Sequence, residues 1–257
     1  VAWVEIPSLS SSANTVIYMY YGYASATNQQ NVTGTWNSNY KGVWHLNEAS
    51  NPYNDATSNV NNSTSGNYPS QTDAKIGKGQ SFNGSSQYIG IRASASLELT
   101  SNGTISCWFN VNSLKESDAI EKGGNGGYTV WQSSSTLEFG KQNDSQSNWA
   151  VWSGGITTGQ WYKVDGVSQS GTKSLYINGV FRAQSSGATD FTNTDTLRFA
   201  KGIDGYLNGL IDDVRVMNVA QSAGWILTEY NNQNSPSTFY SVGAQEITYT
   251  ISGNVFE

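Results

Sequence analysis

Residues 160–180, QWYKVDGVSQSGTKSLYINGV, hold two β-rich segments, 160–168 and 173–178, and close on Asn178-Gly179. Asn-Gly supplies the two positive-φ residues of a type I′ turn, which joins antiparallel strands. The same grammar runs outward in both directions. Alternating runs predict strands near 2–6, 15–21, 42–47, 79–83, 87–92, 103–111, 127–132, 136–140, 148–152, 196–200 and 209–217. NGS at 83–85 and GGNGG at 123–127 mark further turns, and only AQSAGWILTEYNNQ, 220–233, reads as a helix. Many short strands between turn signals predict an all-β antiparallel sandwich.

Composition agrees and excludes some functions. Charged residues are 12 % of the 257, so the surface must be polar through Asn, Ser, Thr, Gln and Gly. A net charge of −6 and unclustered Lys and Arg argue against nucleic acid, whose affinity rests on neutralised phosphates. No apolar stretch reaches the ~20 residues of a membrane span. The one cysteine, Cys107 in TISCWFN, rules out an internal disulfide and reads as a small buried hydrophobe.

The chain divides at changes of texture. Residues 1–23 read as two apolar strands joined by SLSSSANT, and 24–40 as a polar linker. Residues 41–244 form the sandwich, and 245–257, with ITYTISG, read as the start of a following β segment. The opening VAWVEIP reads as a piece of a longer polypeptide.

Taken in order, GVWHLNE (42–48), DATSN (55–59), GKGQSFNGSSQYIGI (77–91), TISCWFN (104–110), QWYKVDGV (160–167), SLYINGV (174–180) and GLIDDVRVMNVAQSAGWI (209–226) resemble the laminin-G-like, concanavalin A-type lectin superfamily. WVEIPSLSSSANTVIYMYYG (3–22) resembles the end of a small domain that often precedes such modules in secreted prokaryotic proteins. The resemblance implies a jelly-roll β-sandwich of two antiparallel sheets with an N-terminal two-strand appendage. It also implies an extracellular, secreted or surface, multidomain parent whose neighbouring domains are partners.

Glycosidases on such scaffolds carry carboxylates at Glu-x-Asp-x-Glu or Glu-x-Asp-x-x-Glu spacing along one strand, where they can serve as acid and nucleophile. The nearest candidate is KESDAIEK, with Glu116, Asp118 and Glu121. It is taken as a solvated loop, and the chain as non-catalytic. His45, the only histidine, lacks a G-x-S-x-G nucleophile and reads as a packed or hydrogen-bonded strand residue. The resemblance further implies a structural calcium held by Glu48, Asn83 and Asp212 or Asp213, in keeping with calcium's need for six to eight oxygens. Alternation puts Asp212 on the face of Val214 and Val216, where a cation, Arg215 or Arg92 would have to offset its burial. Asp55 reads as turning its own loop through an Asx bond.

Nine Trp and fifteen Tyr exceed what packing requires. Sugars offer apolar C–H faces and hydroxyl edges, which exposed rings and amides can meet. Trp44, Trp108 and Trp161 are expected in the core, Trp3 and Trp36 in the appendage and linker, and Trp225 as the anchor of the helix. In NWAVW, Trp149 and Val151 share one face, with Ala150 and Trp152 on the other. Ligand contact is expected from Trp131, Trp149, Trp152 and Tyr128, with Lys141, Asn143 and Asp144, and from Tyr206 on a second loop. The expected function is carbohydrate binding to a polysaccharide or glycan. The alternatives are an adhesive or spacer module with protein partners, and a glycoside hydrolase or lyase.

Overall fold

The computed structural model describes residues 2–245. Its strands are β1 Tyr40–Trp44, β2 Ser63–Asn67, β3 Ser70–Ala74, β4 Gly77–Asn83, β5 Tyr88–Ile91, β6 Asn102–Val111, β7 Ser117–Lys122 and β8 Tyr128–Ser133. They continue as β9 Thr136–Lys141, β10 Ala150–Trp152, β11 Trp161–Gln169, β12 Thr172–Ile177, β13 Val180–Ser186, β14 Leu197–Phe199 and β15 Asn208–Met217. Helices α1, Ala223–Asn234, and α2, Pro236–Phe239, follow. No helix among the described residues is long and apolar enough to cross a membrane.

All pairings between these strands are antiparallel. The first sheet runs β13-β12-β11-β6-β15-β4-β3, and β1 also pairs with β15. The second runs β10-β9-β8-β7-β14-β5-β2. Asn178 and Gly179 both take positive φ, 53° and 77°, as the hairpin turn requires.

The period-2 pattern explains the core. Ile105, Cys107 and Phe109 of β6 and Val164 of β11 meet Ile120, Val130, Phe139 and Phe199 of the second sheet in one buried cluster. Trp44 lies in it, edge-on to Phe199 at 5.2 Å, and donates its indole N–H to the Asn61 carbonyl at 2.9 Å. Burial pushes the Cys107 thiol far up from its ordinary value, in keeping with a packing role.

Three tryptophans depart from expectation. Trp108 is buried on the outer face of the first sheet, beneath α1, where it stacks on Tyr230 and donates to Gln233 at 2.5 Å. Trp161 is only half-buried. The helix anchor is not Trp225, which is 42 % exposed. Ile226 is the buried apolar residue of α1, and Glu229 reaches into an ion network beneath the helix.

In that network Lys163 pairs with Asp165 at 2.6 Å and with Glu229 at 3.0 Å. Arg215 pairs with Asp213 at 2.6 Å and with Glu229, and His45 meets Asp213 at 3.0 Å. Burial alone would raise both acids, but Arg215, joined by His45 at Asp213 and by Lys163 at Glu229, more than offsets it and holds both below the usual carboxylate range. Ser222 caps α1, accepting the Trp225 N–H at 3.2 Å. Ser222→Ala is expected to cost about 1 kcal/mol, seen as a Tm drop of roughly 2–4 °C.

The strands expected at 2–6 and 15–21 do not form, and residues 2–39 contain no strand. β-forming residues make no ladder without a partner strand, and Val16 through Tyr21 are exposed instead. Trp3 nevertheless docks, stacked on His45 at 5.0 Å, with the Arg215 guanidinium 4.7 Å over its ring and 5.0 Å over Trp36. β1 stops at Trp44 rather than 47, because Leu46 takes φ 55°. The segment expected at 245–257 lies, from 246 onward, outside the described residues.

Candidate functional site

The outer face of the second sheet gathers the polar chemistry. Ile120, Val130, Phe139 and Phe199 point into the core, so their neighbours point out. One outward row crosses β9, β8 and β7 as Glu138, Trp131 and Asp118. The next reads Gly140, Thr129, Glu121 and, on β14, Arg198. Asp118 and Glu121 are three apart and would face opposite ways in a regular strand. The register shift between Asp118 and Ile120 puts both on the outside, a re-aiming that bulges perform.

KESDAIEK is therefore not the solvated loop expected. Residues 117–122 form β7 and are buried along their length, and of the three acids only Glu116 remains exposed. Asp118 accepts the Thr129 hydroxyl on Oδ1 at 2.7 Å, while its Oδ2 has no donor. Glu121 Oε2 accepts the Ile203 N–H at 3.0 Å and Gln142 at 2.9 Å. Its Oε1 has no hydrogen-bond donor, and Arg198 stands 3.7 Å away. Burial, then the neighbouring Glu121 charge, push Asp118 well above the ordinary carboxylate value, and burial raises Glu121 as well.

Beside these acids stand two indoles. Trp149 follows a 3₁₀ turn, Gln146–Asn148, and lays its ring over Gly140, where a Cβ would come within 2.1 Å of the ring. Glycine at 140 makes the seat. Trp149 meets Trp131 edge-on at 5.8 Å and 78°, and both rings are half-buried. Both indole N–H groups lack a partner. Glu138 is tied down by Thr136 at 3.1 Å and Gln146 at 3.0 Å.

The other expected contacts lie elsewhere. Tyr128 is a core residue, fully buried and edge-on to Phe191 at 6.0 Å, because it alternates in phase with Val130. Trp152 sits on the inward side opposite Leu137, with Arg182 5.5 Å over its ring. Lys141 ends β9, and Asn143 and Asp144 belong to the turn after it. Asn143 bonds Asn125 at 3.0 Å, and Asp144 holds Asn148 at 2.8 Å and pairs with Lys173 at 3.6 Å. Tyr206 shares Lys201 with Tyr88, at 5.1 and 4.5 Å from the two rings.

The four residues expected around calcium do not converge. Glu48 Oε1 accepts the Asn54 N–H at 2.8 Å, and Asn83 Oδ1 caps its own turn by accepting from Ser85, Ser86 and Gln87. Asp212 and Asp213 do line one small cavity of about 80 Å³, with Trp3, His45, Asn47 and Ile76. Asp213 is already neutralised by Arg215. The free carboxylate oxygens of the set are Asp212 Oδ1 and Glu48 Oε2, and Glu48 does not line that cavity; two oxygens fall far short of six to eight ligands, so this set does not fit a calcium ion. Among the described residues no group of three or more His, Cys, Asp or Glu could hold a metal.

Asp212 also breaks the expected alternation. A register shift between Asp212 and Arg215, with Asp213 at φ 49°, moves it off the face of Val214 and Val216, opposite the outward Trp108. Arg215 serves Asp213 and Glu229, and Arg92 is exposed. Asp212 is left with the Ile76 N–H at 2.6 Å on Oδ2. Burial, then Asp213, push its pKa up to about 8. Asp55 does turn its own loop, accepting the Thr57 N–H at 2.9 Å.

Comparison with known proteins places this architecture. Residues 83–227 match a family profile of the concanavalin A-like lectin/glucanases superfamily. The chain superposes on domain 4 of AbnA, an extracellular GH43 arabinanase from Geobacillus stearothermophilus, in complex with arabinotriose. There the TM-score is 0.59 at 20 % identity, covering 73 % of this chain and 96 % of that one. It also superposes on the binding domain of Paraclostridial Mosquitocidal Protein 1, with TM-score 0.63, 16 % identity and coverage of 76 % and 52 %. The botulinum neurotoxin serotype D ligand-binding domain, in complex with N-acetylneuraminic acid, gives 0.60, 19 % identity and 79 % and 53 %. In both toxin domains the match spans about half of the larger chain. No curated protein matches the chain. With more than half its length under one profile, the chain belongs to the concanavalin A-like lectin/glucanases superfamily.

Proposed function

We propose that residues 41–244 are a non-catalytic carbohydrate-binding module of an extracellular, multidomain protein, and that it grips glycan on the outer face of the second sheet at Trp131 and Trp149. One observation carries this reading. Two unpaired N–H donors, on Trp131 and Trp149, and two unpaired acceptors, on Asp118 and Glu121, crowd one face beside half-buried rings. A hydroxyl group both donates and accepts, so a polyol satisfies such a mixed set, whereas an anion or a cation satisfies half of it. The rings offer the apolar surface that sugar C–H faces need. The arabinotriose complex of a structural neighbour supports the same ligand class.

Affinity electrophoresis in gels containing soluble arabinan, xylan or β-glucan tests the reading. The chain is expected to be retarded by at least one of them. Trp131→Ala is expected to weaken binding about tenfold, the 1.4 kcal/mol that a central aromatic anchor readily supplies. Reducing-sugar assays on the retarding polymer are expected to show no hydrolysis. Retardation by none of them, at millimolar chain, would leave the adhesive or spacer reading, which the exposed Val16–Tyr21 run favours.

A further inference from the structure

We infer that the Lys201–Tyr206 loop is a lid over a second, covered subsite whose floor is Asp118 and Glu121, and whose ligand is the hydroxyl edge of the next sugar along a neutral glycan. The inference rests on the glycan reading of the indole pair. It deepens that reading, because the loop at present shuts those carboxylates away from solvent.

The floor is built rather than accidental. Asp118 and Glu121 are both fully buried, and each keeps one oxygen without a donor. A buried acceptor left unpaired is destabilising, and native proteins tolerate few such atoms without a role for them. A bulge is spent on aiming the two side chains the same way. Asp118 is the cross-strand partner of Trp131, so the floor adjoins the indole face directly.

The lid is thin and lightly latched. A Cβ on Gly202 would fall 1.9 Å from Asp118 Oδ2 and 2.6 Å from Glu121 Oε2, so glycine alone lets the backbone close on the acids. The Ile203 N–H bond to Glu121 is the latch, and Gly202 N–H to the Gly205 carbonyl, 3.0 Å, closes the turn. The Ile203 side chain is 60 % exposed, so no buried apolar anchor holds the tip down. Glu116 and Asp204 add negative charge around the lid, and Arg198 is the one cation facing Glu121, while Lys201 is directed onto the rings of Tyr88 and Tyr206, a balance that disfavours uronate or sialate sugars.

The test combines affinity electrophoresis on the three neutral polymers and on polygalacturonate with hydrogen exchange of the loop amides. The variants are Trp131→Ala, Gly202→Ala and the double change Asp118→Asn, Glu121→Gln, each checked for folding by circular dichroism melts. Saturating neutral polymer is expected to speed exchange at Ile203, because bound sugar breaks the latch. Gly202→Ala, which crowds the lid off its seat, is expected to tighten retention severalfold by removing the cost of opening. The double carboxamide variant is expected to weaken retention at least fivefold, and polygalacturonate to give no retardation.

Suppose that Trp131→Ala abolishes retention while the other variants match the wild type and Ile203 exchange does not change. The lid inference then fails and the indole site stands. Equal retardation by polygalacturonate overturns the neutral ligand class. A wild-type chain retarded by nothing removes both the inference and the reading beneath it.

Discussion

Replacing Arg215 by leucine is expected to destabilise the chain by about 3–5 kcal/mol at pH 7, the usual cost of removing one partner from a buried ion pair. Arg215 is 3 % exposed and stands between Asp213 and Glu229, both nearly sealed from water. Leucine would fill much of the volume but leave two carboxylates sharing only Lys163 and His45 as neutralising partners. The rings of Trp3 and Trp36 would also lose the cation they flank. Urea denaturation at pH 7 measures the loss. The sign of the pH dependence follows from the depressed pKa values of Asp213 and Glu229. Their stabilisation is present above the unfolded carboxylate value near 4 and disappears as pH falls through the folded values. The gap between wild type and variant should therefore narrow in acid. An unchanged gap at low pH would mean that Arg215 acts through packing alone.

Asp212→Asn is expected to stabilise the chain in alkali, the opposite direction. The folded pKa of Asp212, about 8, lies above the unfolded value, so the folded state holds the extra proton between the two. Its contribution is fully present below about pH 4 and is lost as pH climbs through 8. At ~1.36 kcal/mol per pH unit, the whole effect is bounded at roughly 6 kcal/mol. Asparagine keeps an oxygen for the Ile76 N–H and never ionises. Urea midpoints at pH 5 and pH 9 should show a small difference in the first and a gain of several tenths molar or more in the second. A variant that lost stability equally at both would assign Asp212 a structural role that does not depend on its proton.

Much of the sandwich was legible because β6 and β11 alternate over nine or ten residues and the Asn-Gly turn fixes one hairpin outright. β2, β3 and β13 were not legible. STSGN, SQTDA and VFRAQSS are largely exposed, so no apolar face marks them. β7 was missed for another reason. Its acids are buried by a loop some eighty residues further along, and no local pattern announces that Gly202 will lie on Asp118. Tyr128 could have been placed correctly, since its phase with Val130 was visible and the nearby glycines were a distraction. Both bulges, at Ala119 and Asp213, break the two-residue period where the polar chemistry gathers. Alternation therefore failed at the very residues where the candidate chemistry and the ion network are built.

β1 begins opposite the point where β15 ends, with Tyr40 beside Met217 and the Asn218 N–H bonded to the Asn39 carbonyl at 3.0 Å. The two doorways of the sandwich are thus neighbours on one rim. Tension applied at Tyr40 and Met217 would load this pair first. It would open their rungs one after another like a zipper, rather than sliding them past each other all at once. The rest of the body hangs to the side of that path as a pendant, so stretching would unfasten its attachment before it deformed the face that carries the indoles.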